Sequence, residues 1–301
     1  AMRSKGNHII TSTIEHPAVL GACEFLERYG YRVTYLDVDE DGWLDSEKLR
    51  NSINADTILV SIMMANNEVG TILPIKELST ICREKGILFH TDAVQANGKI
   101  TVDIQDMNVD MLSLSGQKFH TPNVVGALYI RKGIELEPLI HGGKQEKGIR
   151  AGTENVPAIV GLGKAAELVT SALLNSERIH NLRDRLEQGI RDLVPDAVLN
   201  GHQKNRLPNT LNLTLPGLRG ESIVIALDQH GISLSSGSAC KSGSPEPTHV
   251  LIAMGRTEEE AHCSVRFSLS RYTTEEDIDY TVSALEQVLK EKDMVRLMPC
   301  K

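Results

Sequence analysis

A nearly unbroken apolar run, Thr-Ile-Leu-Val-Ser-Ile-Met-Met at residues 57–64, constrains the fold more than any other stretch of this chain. A strand covered on one face alternates apolar and polar residues, whereas a parallel strand covered by helices on both faces is apolar throughout. The run therefore predicts a buried strand of a parallel sheet. Shorter runs of the same kind predict further strands at 8–12, 31–38, 87–91, 111–115 and 126–131.

Helical patterns separate these runs. Pro17 suits the first turn of a helix whose apolar residues recur every three or four positions, a short helix is expected near Ser46, and residues 75–85 form another helical pattern. Strands that alternate with helices in this way predict an α/β fold, with a mostly parallel sheet sandwiched by helices.

The second half of the chain has a different pattern. After Gly142 and Gly143 it turns helical through residue 193, and short strands are then predicted at 210–215, 232–235 and 264–269, with a helix at 221–229. A last helix begins near Thr274, where acidic residues complement the helix dipole. We therefore expect a large α/β domain at 1–165 and a smaller C-terminal α+β domain at 166–301.

Charge and composition exclude several classes of protein. The net charge of −8 argues against a surface for nucleic acid or an anionic membrane. No apolar run approaches the ~20 residues that span a bilayer, and no signal-peptide pattern is present, so a cytoplasmic protein is expected. The five cysteines form no Cys-x-x-Cys pair, which predicts free thiols and no metal site.

Chemically capable residues follow the predicted strands. Lys118 comes after strand 111–115 and is either a covalent anchor or a solvated lysine; Asp92 follows strand 87–91 and either pairs with a ring nitrogen or caps a turn. His16 follows strand 8–12 and either stacks on a ring and moves protons or is an ordinary histidine. Each alone is more often structural. Because ligands bind at the carboxyl ends of strands in α/β sheets, their accumulation there predicts a pyridoxal phosphate (PLP) site.

Nearby residues suit the rest of such a site. Gln95 could donate to the ring hydroxyl, and Ser115 and Gln117 could bind the phosphate. Residues 235–247 are rich in Ser, Gly and Pro around Cys240, which predicts a mobile exposed loop whose thiolate Lys241 favours. Such a thiol could attack an atom of a cofactor-bound substrate. Arg266 could fork onto a substrate carboxylate or form a surface ion pair.

These stretches resemble the cysteine desulfurases of the class V aminotransferase family, in the NifS/IscS-like branch with the PLP fold type I, over nearly the whole chain. The matching motifs are Glu15-His16, Asn-Asn-Glu at 66–68, Asp-x-x-Gln at 92–95, Ser-Gly-x-Lys-Phe at 115–119, Arg-x-Gly-Thr at 150–153 and Ser-Gly-Ser-Ala-Cys at 236–240.

The resemblance implies a role for each residue. Lys118 would hold PLP, Asp92 would pair with the ring nitrogen, and His16 would stack on the ring. Gln95 would contact the ring oxygen. Ser115 would bind the phosphate together with Thr153 from a partner subunit, and Asn67 and Arg266 would bind the substrate carboxylate.

It also implies the reaction and the partners. Cys240 would take sulfur as a persulfide while L-cysteine becomes L-alanine, and a sulfur-acceptor protein such as an iron–sulfur scaffold would receive it for cluster or thiocofactor assembly. The implied assembly is a homodimer.

Two departures from the family pattern keep alternatives open. Family members begin well before this chain starts, and the preceding part includes a glycine-containing turn that opens a helix onto the phosphate. Gln117 stands where the family has a histidine. The alternatives are a non-catalytic or N-terminally incomplete relative acting as a binding or scaffold partner, and a selenocysteine lyase-type or aminotransferase class V enzyme. A plain aminotransferase needs no mobile thiol, so the Cys240 loop argues against it.

Overall fold

The computed structural model describes residues 1–236 and 246–290. The chain forms two compact units. The first unit comprises Ala1–Leu36, Asp45–Met64 and Pro74–Leu173, and the second comprises Asp37–Leu44, Ala65–Leu73 and the chain from Leu174 onward. Two short segments from the first third of the sequence thus belong to the second unit.

A mixed sheet forms the centre of the first unit. Its order is β2-β1-β3-β4-β5-β6, with all neighbours parallel except β6, which is antiparallel to β5. This confirms the predicted mostly parallel sheet. The strands are β1 (His8–Ser12), β2 (Arg32–Leu36), β3 (Thr57–Ser61), β4 (Leu88–Asp92), β5 (Met111–Ser115) and β6 (Gly126–Ile130).

Strand β3 is shorter than the apolar run that predicted it. The run extends to Met64, but the ladder ends at Ser61. Ile62 and Met64 remain buried, and their amides donate to the carbonyls of His90 and Asp92 on the next strand. Burial therefore continues past the point where regular strand geometry ends.

Helices begin where capping chemistry directs them. Pro17 is at the start of α1, the Asp45 carboxylate accepts from the Glu47 amide at α2, and Asp103 caps α4. The helices of this unit are α1 (Pro17–Glu27), α2 (Ser46–Ser52), α3 (Ile75–Glu84), α4 (Ile104–Met107) and α5 (Val156–Leu173), with 3-10 turns at Gly116–Phe119 and Gln145–Gly148.

The second unit packs helices on an antiparallel sheet of order β7-β8-β9. Its core contains apolar residues of α6, β8, β9 and α10, among them Leu186, Leu213, Phe267 and Leu285. Its elements are β7 (Val198–Asn200), β8 (Thr210–Thr214), β9 (Ser264–Ser268), α6 (Ser176–Leu193), α7 (Gly220–Asp228), α8 (His249–Ala253), α9 (Glu258–His262) and α10 (Glu275–Lys290).

One predicted strand of this unit is wrong. Residues 232–235 form no strand; only Ser235 pairs, through an isolated bridge to Arg266 of β9. The predicted division at residues 165/166 falls within α5, which lies whole in the first unit.

Among the residues that the structure describes, no single helix is long and apolar enough to cross a membrane, and one pair of consecutive helices, Val156–Ser171 with Ser176–Leu193, meets the length and composition requirements only jointly.

Candidate active site

The parallel strands of the first unit bring several predicted residues to one edge of the sheet. Strands β1, β3, β4 and β5 point the same way, so their carboxyl ends share that edge. Asp92 ends β4 and Ser115 ends β5, and the register pairs Asp92 with Ser113 on the adjacent strand. His16 lies four residues past the end of β1.

Lys118 lies on the 3-10 turn directly after β5. The turn is tight: a Cβ on Gly116 would collide with the Thr121 side chain, so a larger residue there would require the turn to shift. Phe119 is buried and anchors the turn, whereas Lys118 is exposed. Within the described residues, the Lys118 amine makes no hydrogen bond or ion pair, so it is available to a ligand.

Asp92 carries a half-buried carboxyl group whose surroundings suit a cationic partner. Its Oδ1 accepts from the Val94 amide at 2.9 Å. Burial raises the pKa of this carboxyl group, and the Val94 amide and the nearby His16 ring offset part of that rise. No ion pair joins Asp92 to another described residue. A protonated ring nitrogen beside it would favour the carboxylate form.

The position of His16 fixes its neutral tautomer. His16 is the N-cap of α1, and its Nδ1 accepts from the Ala18 amide at 3.1 Å. Because an accepting ring nitrogen carries no proton, the neutral ring holds its proton on Nε2. His16 therefore offers an N–H donor at Nε2.

Glu15 is a feature of the site that sequence reasoning missed. Its side chain is fully buried; Oε1 accepts from the Ser12 hydroxyl at 2.7 Å and from the Met63 amide at 2.8 Å. Burial raises the pKa of Glu15 to about 8 against these two hydrogen bonds, and the negative charge of Asp92 adds to the rise. The Glu-His motif marked this position, but the burial depends on the end of β3, which lies almost fifty residues away.

The other predicted residues of the first unit are accessible. Gln95 is half-buried, and its Oε1 accepts from the Lys99 ammonium at 2.7 Å, which leaves the amide nitrogen as donor. Ser115 is half-buried at the end of β5, whereas Gln117 and Thr153 are exposed.

The two residues expected to bind a substrate carboxylate lie together in the second unit. Arg266 of β9 donates from Nη1 to the backbone carbonyl of Asn67 at 2.9 Å. Asn67 is in a turn that the Asn66 side chain holds, because Asn66 Oδ1 accepts from the amides of Glu68 and Val69. Cys240 lies outside the described residues.

Comparisons with known proteins agree with this geometry. The family described as aminotransferase class-V matches residues 2–281. A cysteine desulfurase IscS of Clostridium botulinum is 51% identical over 97% of this chain and 74% of its own length. The chain belongs to the cysteine desulfurase family.

Solved structures of other proteins share the fold. A NifS-like protein superimposes with a TM-score of 0.90 at 40% identity, covering 96% of this chain and 77% of the other. A structure described as SspA in complex with cysteine has a TM-score of 0.74 at 38% identity, over 89% of this chain and 75% of the other. The predicted class V, PLP type I architecture is thereby confirmed.

Proposed function

We propose that this member of the cysteine desulfurase family binds PLP on Lys118 and converts L-cysteine to L-alanine, with transfer of sulfur to Cys240. The observation that carries the proposal is the exposed Lys118 amine. Lys118 lies on the turn directly after β5, and β5 is the neighbour of β4, the strand that ends at Asp92. Among the described residues, the Lys118 amine has no partner and the Asp92 carboxyl group has no cation, and these are the two groups that a pyridine aldehyde requires.

The residues of the first unit fit PLP. Lys118 would hold it covalently, Asp92 would bind the ring nitrogen, and His16 and Gln95 would contact the ring. Ser115 and Gln117 have the hydroxyl and amide donors that a phosphate needs. Gln117 supplies a neutral donor where the family has a histidine, so we expect the phosphate to be bound here with less positive charge.

The chemistry that PLP supplies when bound is an electron sink that eases proton removal from a substrate carbon. Asp92 would keep the proton on the ring nitrogen, since a carboxylate stabilises that positive charge. Lys118 would accept and return the substrate proton at Nζ, and His16 would donate from Nε2. Asn67 and Arg266 would bind the substrate carboxylate.

Sulfur transfer balances without an added oxidant or reductant. The Cys240 thiolate attacks the substrate sulfur, the carbon–sulfur bond breaks, and the carbon that loses sulfur takes up a proton. The products are L-alanine and a Cys240 persulfide. The complex of SspA with cysteine supports cysteine as the substrate class.

A sulfur-acceptor protein would receive the persulfide sulfur, for iron–sulfur cluster or thiocofactor assembly. We also propose a homodimer in which Thr153 of one copy contacts the phosphate bound by the other, which its exposure permits. The cytoplasmic location expected from the sequence stays a prediction.

The experiment that tests the proposal is covalent trapping. Protein purified with PLP and reduced with borohydride is expected to carry a cofactor-derived mass on the peptide that contains Lys118. Lys118→Ala should remove this mass, whereas Lys132→Ala, which changes an exposed lysine of the same unit, should leave it. Cysteine should then yield alanine and a persulfide mass on the Cys240 peptide.

Each alternative has its own outcome in this experiment. If saturating PLP leaves no mass on Lys118, this chain alone is not a desulfurase and the scaffold or incomplete-relative function replaces the proposal. If Cys240→Ala still releases alanine from selenocysteine at the wild-type rate but not from cysteine, the enzyme is a selenocysteine lyase.

A further inference from the structure

The structure describes both ends of the segment that contains Cys240. On the entry side, Ser235 pairs with Arg266: the Arg266 amide donates to the Ser235 carbonyl at 2.7 Å, and the Ser235 amide to the Arg266 carbonyl at 3.3 Å. On the exit side, Thr248 is the N-cap of α8 and is itself buried. Both ends are therefore held by defined bonds.

These two ends are tied to the same turn, residues 66–68. Arg266 donates from its guanidinium to the carbonyl of Asn67. Thr248 donates from its hydroxyl to Glu68 Oε2 at 2.5 Å. The turn is further fixed by Asn212 of β8, whose amide nitrogen donates to the Glu68 carbonyl at 3.1 Å. The turn proposed to bind the substrate carboxylate thus also holds the start of α8.

Glu68 is an unusual residue for a purely structural bond. Its side chain is fully buried, and its Oε1 has no hydrogen-bond partner among the described residues. Burying a carboxyl oxygen without a hydrogen-bond partner is costly. Among the described residues, the carboxyl group of Glu68 makes one hydrogen bond, which it accepts from the Thr248 hydroxyl.

We propose that Glu68 is a positioning residue that fixes the start of α8 to the Asn67 turn, and so fixes the exit of the Cys240 segment relative to the residues that bind the substrate carboxylate. The link to sulfur transfer rests on the proposed function. The tie between Glu68 and Thr248 does not, so the two can be tested separately.

Trypsin cleavage after Lys241 measures the tie without any catalytic step. Lys241 is the single lysine or arginine between Ser235 and Thr248, so cleavage there is identified by its new terminus. In the whole chain with added PLP, Glu68→Ala is expected to speed this cleavage about fivefold, the effect of losing one ordinary hydrogen bond. Glu68→Gln, which can still accept the hydroxyl, should lie close to the wild type.

The partner side gives matched variants. Thr248→Val should speed cleavage after Lys241 as Glu68→Ala does, whereas Thr248→Ser, which keeps the hydroxyl, should be cleaved at the wild-type rate. The double variant Glu68→Ala/Thr248→Val should be cleaved no faster than the faster of the two single variants. Thr257→Val is the control, because Thr257 caps α9 in the same unit through Glu260 and, within the described structure, does not hydrogen-bond to Glu68. It should lower stability without changing cleavage after Lys241.

A kinetic readout then connects the tie to sulfur transfer. Because the Arg266 bond to Asn67 remains, Glu68→Ala should lower kcat for alanine formation about tenfold and leave KM for cysteine within about twofold. If Glu68→Ala cleaves after Lys241 no faster than Thr257→Val, the positioning role is wrong. If cleavage responds as expected but the wild type shows no turnover, the proposed function fails while the tie stands.

Discussion

Glu15 carries a carboxyl group that is fully buried directly before His16. Its acceptance of the Ser12 hydroxyl and the Met63 amide joins the ends of β1 and β3. The pKa near 8 means that the folded protein holds a proton on Glu15 at neutral pH, whereas the unfolded chain, with an ordinary glutamate pKa near 4.5, does not. Folding is therefore linked to proton uptake at this residue.

Glu15→Gln is expected to change the pH dependence of stability. Between pH 4.5 and 8 the folded state binds the extra proton, so the contribution of Glu15 to stability falls as pH rises, by up to about 1.4 kcal/mol per pH unit. From pH 6.5 to 8 the wild type should lose up to about 2 kcal/mol relative to Glu15→Gln. Urea unfolding at these two pH values measures the difference.

The pH window and a control isolate the effect. His90 and Asp92 are present in both proteins, so their own titration cancels from the difference. Glu137→Gln changes an exposed carboxylate of the same unit and should run parallel to the wild type. A wild type that also runs parallel to Glu15→Gln from pH 6.5 to 8 would show that Glu15 is already ionised in the fold.

At the scale of elements, one side chain joins three strands of the sheet. His90 of β4 contacts the Ser61 hydroxyl of β3 at 2.8 Å through Nδ1 and the Ser113 hydroxyl of β5 at 2.9 Å through Nε2. It lies two residues before Asp92, on the same face of the strand. The bridge therefore fixes side-chain register beside the residue proposed to bind the ring nitrogen.

His90→Leu should lower the free energy of unfolding by about 2–3 kcal/mol, because two partly buried hydroxyls lose their partner. Burial lowers the pKa of His90 to about 4, so the folded state keeps the ring neutral while the unfolded chain protonates near pH 6.5. The contribution of His90 is therefore present above pH 6.5 and lost as pH falls toward 4.

Urea unfolding between pH 4.5 and 7 checks both statements. The difference between the wild type and His90→Leu should shrink on acidification. His141→Leu, at an exposed histidine of the same unit, should cost little at any pH in this range. A constant difference between the wild type and His90→Leu would mean that the ring is protonated equally in the folded and unfolded states.

The sequence predicted elements best where local signals were complete. Strands β1 and β5 have the predicted bounds, and α1 begins at the predicted proline. The strand expected at 232–235 failed because pairing with β9, and not local pattern, decides where a strand forms. The three-residue β7 is too short to leave an alternating pattern.

The candidate site divides in the same way. The placement of Lys118, Asp92 and His16 after strand ends was predictable, because strand ends in an α/β sheet share one edge; their roles stay predictions. The bond from Arg266 to the Asn67 carbonyl, and that from Thr248 to Glu68, join residues separated by 199 and 180 positions. No local pattern encodes such pairs.

At the scale of the whole molecule, the second unit depends on segments that precede most of the first. Ile72 donates its amide to the Asn205 carbonyl, the Leu207 amide donates to the Gly70 carbonyl, and the His202 amide donates to the Thr71 hydroxyl. Without residues 65–73, the Asn205 carbonyl, the Leu207 and His202 amides and the Asn212 side chain lose these partners.

A fragment of residues 174–301 is therefore expected not to fold cooperatively alone. Its far-UV circular dichroism should show a broad, weakly cooperative thermal transition, because several hydrogen-bonding groups would be left unsatisfied at once. Adding a peptide of residues 65–73 should sharpen the transition, and a scrambled peptide should not. A sharp transition of the fragment alone would show that the segment is dispensable.

The hydrogen bond between Arg266 and Asn67 can form only late in synthesis of the chain. Asn67 leaves the ribosome 199 residues before Arg266. At about 5–20 residues per second, the turn waits roughly 10–40 s for its partner. During that interval the Asn67 turn lacks its Arg266 partner. The need for chaperones should therefore be highest while residues 174–266 are still being added.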